Sequence, residues 1–263
     1  MSLKLTSRMQ QIADLAAGSD TVADIGTDHG YIPIWLLMNG QCRKAILSDV
    51  AQGPLQHARE NAEKYLGKSS LPDLRLGSGL ATLQPGEADT VIIAGMGGIL
   101  MRDLLAAEPQ ITGSVKRLVL QPRNNGAQLR KWIQEELSGF VIVREYAVRE
   151  GRKYSEILCA VNQDLVCPGE DDRSRVEQAE RYRRQLGISA EFDREVPCMY
   201  LADPTSYTEE YLHRRLHIEQ EILRQIRETG QRETSFRRLS AVGQRVQYLE
   251  KMIEVYHEIK SGT

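Results

Sequence analysis

The sequence lacks an excess of either charge. Across 263 residues, 34 Lys and Arg face 36 Asp and Glu, for a formal net charge of -2. No global basic field advertises nucleic acid, so any contact with a polyanion must come from local patches. Cysteine is scarce as well: Cys42, Cys159, Cys167 and Cys198 form no C-x-x-C pair and no Cys/His ligand spacing. This pattern excludes a zinc ribbon or a disulfide framework and points to reduced thiols, with no metal expected. The N-terminus has no basic region followed by an apolar core, and no apolar run is long enough to span a bilayer. The expectation is a soluble cytoplasmic protein with no membrane partner. Internal repeats and low-complexity segments are also missing. What remains is 41% hydrophobic and 27% charged, ample for a globular core with a smaller second domain.

The organising stretch is Val22-Ala23-Asp24-Ile25-Gly26-Thr27-Asp28-His29-Gly30-Tyr31. A β-prone apolar run meets a glycine turn, and an apolar helix starts near Pro33, as in a nucleotide-binding α/β unit. Gly26 and Gly30 let backbone approach a ligand and offer N–H groups at a helix N-terminus. Their spacing is G-x-x-x-G, not the dinucleotide G-x-G-x-x-G. Asp24 inside the motif and the polar Thr27-Asp28-His29 turn favour S-adenosylmethionine over NAD. The ligand's carboxylate can meet backbone N–H groups while its ammonium finds an acceptor.

In chain order, residues 4–17 read as an amphipathic lead-in helix ended by Gly18. Strand 1 covers about 21–26 and a helix about 32–39. Strand 2, 44–49, ends at Asp49, where doubly wound folds place an acid on a ribose diol; a strand-end Asp also caps the next helix. A helix over 53–66 leads to a short strand, 74–76, and to Gly77-Ser78-Gly79, a second glycine pair suited to an adenine edge. Strand 4, 89–94, opens into Gly95-Met96-Gly97-Gly98, a cluster that is costly in entropy unless something approaches closely. Strand 5, 117–120, delivers Gln121-Pro122-Arg123-Asn124-Asn125 to the same edge. After a further helix, 140–144 and 154–161 are β-prone, with charged residues and Gly151 between them. No crossover helix fits, so they pair as an antiparallel hairpin. Five β–α units followed by a terminal hairpin predict the class I methyltransferase sheet, an α/β doubly wound, Rossmann-like fold, over residues 1–163.

Residues 164–263 predict a separate helical domain. A charged helix over 171–186 precedes an irregular Pro197/Pro204 stretch and two long helices, about 206–228 and 234–260. Leu239, Val242, Val246, Leu249, Ile253 and Tyr256 step by three and four, as do Leu212, Leu216, Leu223 and Ile226, with Glu219 as the break. That is the period of a coiled-coil seam, here an antiparallel helical hairpin. Arg173, Arg175, Arg181, Arg183, Arg184, Arg214, Arg215, Arg237 and Arg238 either track phosphates or form a solvated face with the interleaved Glu.

Several of these motifs together resemble a known family. Leu5-Thr6-Ser7-Arg8-Met9, Ala23 to Pro33, Ser48-Asp49-Val50 with Gly53-Pro54-Leu55, Ile93 to Gly98, and Leu120-Gln121-Pro122 with Leu129-Arg130 are similar to bacterial tRNA (adenine-N1)-methyltransferases acting on adenine 22. Ser78 departs from that family's usual acid, and Arg123 stands where Asn is frequent, with Asn124 one place later. The resemblance implies S-adenosylmethionine as cofactor and tRNA as partner. With the residue reading it gives cofactor contacts at Arg8, Asp24, Gly26, Thr27, Asp28, Gly30, Tyr31, Asp49, Val50, Gly77, Ser78, Gly79, Gly95, Met96 and Gly97. Substrate contacts fall to Met96, Gln121, Pro122, Arg123 and Asn124. Adenine N1 already carries a lone pair, so positioning is the main task, and a carboxylate near the developing cation helps. Asp28 is the candidate, with His29 as orienter, base contact or turn cap. Arg8 reaches the cofactor carboxylate, an RNA phosphate or a helix partner. Two other classes compete: a methyltransferase for a protein amide or small molecule, and a non-enzymatic coiled-coil binding protein. A monomer or weak dimer is expected.

Overall fold

The computed structural model describes residues 2–68, 70–229 and 233–262. It divides into two compact units, residues 1–173 and 174–263. The boundary lies inside a helix, later than the expected break after residue 163. Arg144 Nε meets Asp172 Oδ1 at 2.6 Å, which ties the first turn of that helix to the sheet unit.

The first unit runs α1 (Ser7–Ala16), β1 (Ser19–Ile25), α2 (Tyr31–Met38), β2 (Cys42–Asp49), α3 (Gln52–Leu66), β3 (Asp73–Leu76) and β4 (Thr90–Met96). It continues with α4 (Gly98–Ala107), α5 (Pro109–Ser114), β5 (Arg117–Pro122), α6 (Gly126–Glu135), β6 (Phe140–Glu150) and β7 (Lys153–Asn162). Strand order is β3-β2-β1-β4-β5-β7-β6. β1 to β5 are parallel, and β7 joins β5 antiparallel. The expected doubly wound sheet with its terminal hairpin is therefore present. β1 and β4 lie side by side although two strands separate them in sequence, so the chain reverses its winding there. Ligands bind at such a point, outside the carboxyl ends of the strands. Val22, Ala23, Ile25, Val91, Ile92 and Ile93 are buried at this centre, and an apolar run of this kind suits strands covered on both faces.

Three local differences have physical causes. β3 is followed by a 3-10 turn, Gly79–Thr82, not by an α-helix, so the third β–α unit is incomplete. The helix after β4 is split at Glu108, because Pro109 disfavours helical geometry in the residue before it. β6 reaches Glu150, well beyond the expected end at 144. Its outer half is polar in sequence, yet Glu145 is buried against Arg130, so a charged stretch that reads as connector is ladder.

The second unit contains the rest of α7 (Glu170–Leu186), then α8 (Ala190–Glu195), α9 (Met199–Ala202), α10 (Thr208–Thr229) and α11 (Glu233–Ser261). The stretch read as irregular holds α8 and α9; Ser189 caps α8 by accepting from Phe192 N–H. α10 and α11 pair antiparallel, since Glu209 meets His257 and Glu219 meets Arg245. Leu212, Ile226, Val242, Val246, Leu249, Ile253 and Tyr256 are buried. Glu219 is buried too, 3.7 Å from Arg245 and 4.0 Å from Arg215. The turn after Gly230 and the Arg237 side chain lie outside the described residues. No helix among the described residues is long and apolar enough to cross a membrane.

Candidate active site

The carboxyl ends of β1, β4 and β5 open into a cavity of about 820 Å³. Its walls gather Arg8, Asp24, Gly26, Thr27, Asp28, His29, Gly30, Tyr31, Gly95, Met96, Gln121, Pro122 and Arg123 from the expected set. Asp49, Val50, Gly77, Ser78 and Gly79 do not line it; they follow one another past the ends of β2 and β3, where Gly77 N–H donates to Asp49 O at 3.0 Å. A cavity of about 830 Å³ lies elsewhere in this unit, walled by Cys42, Arg43, Asp73, Arg75 and Glu87. Arg43 is bound to Asp20 and Arg75 to Glu87 there, and none of the motif residues reaches it.

Asp24 is the buried acid of the cleft, 8% exposed. Burial pushes its carboxyl up to about 6, opposed by the Thr27 hydroxyl and assisted by the charge of Asp49. A carboxylate held out of water beside a cavity is primed for a cation. Asp49 Oδ1 accepts from Ala51 N–H at 2.8 Å, so it fixes the chain entering α3 with one of its two oxygens. It does not cap α3 itself, since the N-cap is Ala51 and the helix's first turn takes no side-chain hydrogen bond there.

The glycine turn behaves differently from the expectation. Gly26 N–H and Thr27 N–H both donate to Ser48 O, at 2.8 and 2.9 Å, so these amides hold the turn to β2 and are not offered to a ligand. Gly30 has φ +67°, and a Cβ there would meet Leu47 and, at 3.2 Å, Ala58 of α3. It serves the turn and the close approach of α3. At Gly26, with φ +77°, a Cβ would run into Met96 Cε. Met96 thus reaches across from β4 to cover the motif turn.

The second glycine cluster has its own close neighbour. A Cβ on Gly97 would stand 2.9 Å from Asn124 Oδ1, and one on Gly98 would stand 2.6 Å from Asn125 O. Gly98 N–H donates to Asn124 O, and Arg123 N–H to Met96 O. The turns after β4 and β5 are interlocked, and the expected close approach at Gly97 is made by this chain's own Asn124. Asn125 takes φ +54°, the one non-glycine positive φ among the described residues.

Gln121 is buried and bonded at both ends of its amide. Arg8 Nη1 donates to its Oε1 at 3.2 Å, and its Nε2 donates to Pro122 O at 3.2 Å. One lone pair and one hydrogen are left for a substrate. Arg8 is itself held by Glu150 at 3.0 Å, from the tip of the hairpin. Burial raises the Glu150 carboxyl, but hydrogen bonds from Thr6 and Arg8 outweigh it and hold it below its ordinary value. Glu150, Lys153, Tyr154 and Ser155 form a wall that the sequence reading missed. Tyr146 and Val148, β-prone and two positions apart beyond residue 144, are the signal that could have found it. Beneath this wall Arg130, 1% exposed, joins Glu145 and Glu156 and fastens α6 to the hairpin. Asp28 lies 3.3 Å from His29 Nε2 and is 74% exposed.

A family model described as a methyltransferase domain matches residues 5–158. The chain belongs to that methyltransferase-domain family. A tRNA (adenine(22)-N(1))-methyltransferase of Bacillus subtilis (strain 168) is 36% identical over 159 residues, 60% of this chain and 65% of the relative. The match therefore spans just under two-thirds of that relative's length. The crystal structure of the B. subtilis M1A22 tRNA methyltransferase TrmK aligns at TM-score 0.74 and 29% identity, over 96% of this chain and 100% of that one. M. capricolum TrmK in complex with S-adenosyl-homocysteine aligns at 0.68 and 21%, over 96% and 99%, which shows a common fold. The resemblance read from the motifs is borne out by these relatives.

Proposed function

We propose that this methyltransferase uses S-adenosylmethionine to methylate N1 of adenine 22 in tRNA. The observation that carries the reading is the cavity itself: Asp24, the Gly26–Tyr31 turn, Met96 and Gln121 converge on one cleft at the winding reversal. The named activity of the B. subtilis relative, which shares the motif residues' half of the chain, supports the choice of substrate.

The residues fit the cofactor. The buried Asp24 carboxylate is an acceptor for its ammonium. Asp49 keeps one oxygen for a ribose diol. Val50 and Leu76 are 71% and 55% exposed at the ends of β2 and β3, apolar surface suited to the faces of an adenine ring. When bound, the cofactor supplies an electrophilic methyl on a sulfonium. The chain's own work is placement. Arg8 and Pro122 O fix the Gln121 amide plane, so that its remaining donor and acceptor can orient a base. Tyr31 and Met96 supply apolar wall to the cleft. Asp28, on the cleft wall beside His29, is the carboxylate assigned to the positive charge that grows on the methylated ring. No base is needed before attack, because N1 is already a free lone pair.

Transfer of tritium from labelled S-adenosylmethionine separates the alternatives. Label entering total tRNA supports this reading. Label entering protein or small molecules instead, or nowhere, overturns it.

A further inference from the structure

Outside the cleft, α3 carries a residue that the reaction has not used. His57 and Asn61 are one helical turn apart on the same face. Asn61 Nδ2 donates to His29 O at 3.0 Å, which pins the motif turn to α3. His57 lies over the His29 ring, with centroids 5.2 Å apart and planes 17° from parallel. His29 in turn lies over Tyr31, at 5.4 Å and 20°. Tyr31, His29 and His57 are therefore a column of three near-parallel rings. Tyr31 and His29 line the cleft, and His57 is the exposed far end on α3.

Two readings compete for this column. Asp28, His29 and His57 lie close enough together to suggest a metal site. However, an imidazole binds a metal through a lone pair in its ring plane, and the His29 and His57 rings are stacked, an arrangement that turns their faces and not their ring edges to each other. Stacked flat faces suit another flat π-system instead. Base–aromatic stacking tolerates any sequence, because every base has a π-face.

We propose that the Tyr31–His29–His57 column is a stacking step for a nucleobase next to the target nucleotide, with His57 as its outer tread. This rests on the tRNA reading above. Extruding one base from a helical stem exposes the faces of its neighbours, and a ring step at the cleft mouth replaces the stacking they lose.

The test compares full-length wild type, His57→Ala and His57→Phe with an unmodified tRNA transcript. His57 is exposed, so both variants should keep the wild-type melting temperature and S-adenosylmethionine affinity. His57→Ala should bind tRNA about 10-fold more weakly, the usual scale for one lost stack, with the rate at saturating tRNA unchanged. His57→Phe should restore affinity without changing its salt dependence, since the ring face and not charge carries the contact. With 2-aminopurine at each nucleotide flanking the target in turn, one position should show quenching with wild type and His57→Phe but not with His57→Ala. Equal tRNA affinity in all three proteins overturns the step while leaving the tRNA reading intact. Failure of His57→Phe to rescue also overturns it. A wild type that transfers no methyl to tRNA overturns both.

Discussion

Asp24 links burial to function through a single proton. Its carboxyl is pushed up to about 6 in the ligand-free protein, chiefly by burial. Pairing with a cofactor ammonium requires the ionised form, so affinity should hold above pH 7 and fall about tenfold per unit below pH 6. The same shift has the opposite sign for folding. The folded value lies above the ordinary 3.8, so this group's stabilising contribution is complete below that value and lost as pH rises through about 6. Asp24→Asn should accordingly weaken cofactor binding about tenfold or more at pH 8, flatten its pH dependence, and raise the melting temperature of the ligand-free protein. Calorimetry and thermal denaturation from pH 5 to 8 check all three. Asp28 is different. At 74% exposure, water screens its charge, so Asp28→Ala should slow single-turnover methylation about 10-fold and not by the 100-fold typical of a dry site. Cofactor affinity should hardly change. Asp24 was legible in the sequence because a strand-to-turn position fixes where its side chain goes. The true neighbours of Gly26 and Gly97 were not, since Met96 and Asn124 come from other strands' turns.

At the scale of elements, the turns after β4 and β5 interlock directly behind Met96 and Arg123, which line the cleft. Gly98→Ala puts a methyl 2.6 Å from a backbone carbonyl that cannot rotate away. It should cost about 1–3 kcal/mol of stability by chemical denaturation and should weaken methylation, because Gln121 to Asn124 must shift. Gly113→Ala, with nothing within 4 Å, is the control and should be neutral or slightly stabilising. The β–α succession was legible because buried parallel strands are short apolar runs bounded by glycine. The length of β6 was not, because Glu145 turns inward only to meet Arg130, a partner on α6. A charge that is buried by a distant partner looks, in sequence, like surface.

For the whole molecule, the arginines beyond residue 170 divide into two kinds. Arg175 is committed to Asp203, Arg183 to Glu180, and Arg215 lies between Glu195 and Glu219. Arg181 and Arg184 are exposed on α7, Arg184 with only a solvent-facing contact to Glu180 at 3.9 Å. If these exposed residues track phosphate, Arg181→Gln with Arg184→Gln should weaken tRNA binding and reduce the slope of log affinity against log salt by up to about two. Cofactor affinity should not move. The helical hairpin was legible from its apolar period, whereas sorting the arginines was not, because Asp203 and Glu195, the carboxylates beside Arg175 and Arg215, stand far from them in sequence.

The identity of the methylated atom decides the function most directly. Two unmodified tRNA transcripts, one with adenine and one with guanine at position 22, are each incubated with the full-length protein and S-adenosylmethionine. N1-methyladenine blocks the Watson–Crick edge, so reverse transcription stops at it. A stop is expected at position 22 in the adenine transcript, with no methyl incorporated into the guanine transcript. Equal incorporation into both transcripts, or a stop at another position, would contradict the proposed function.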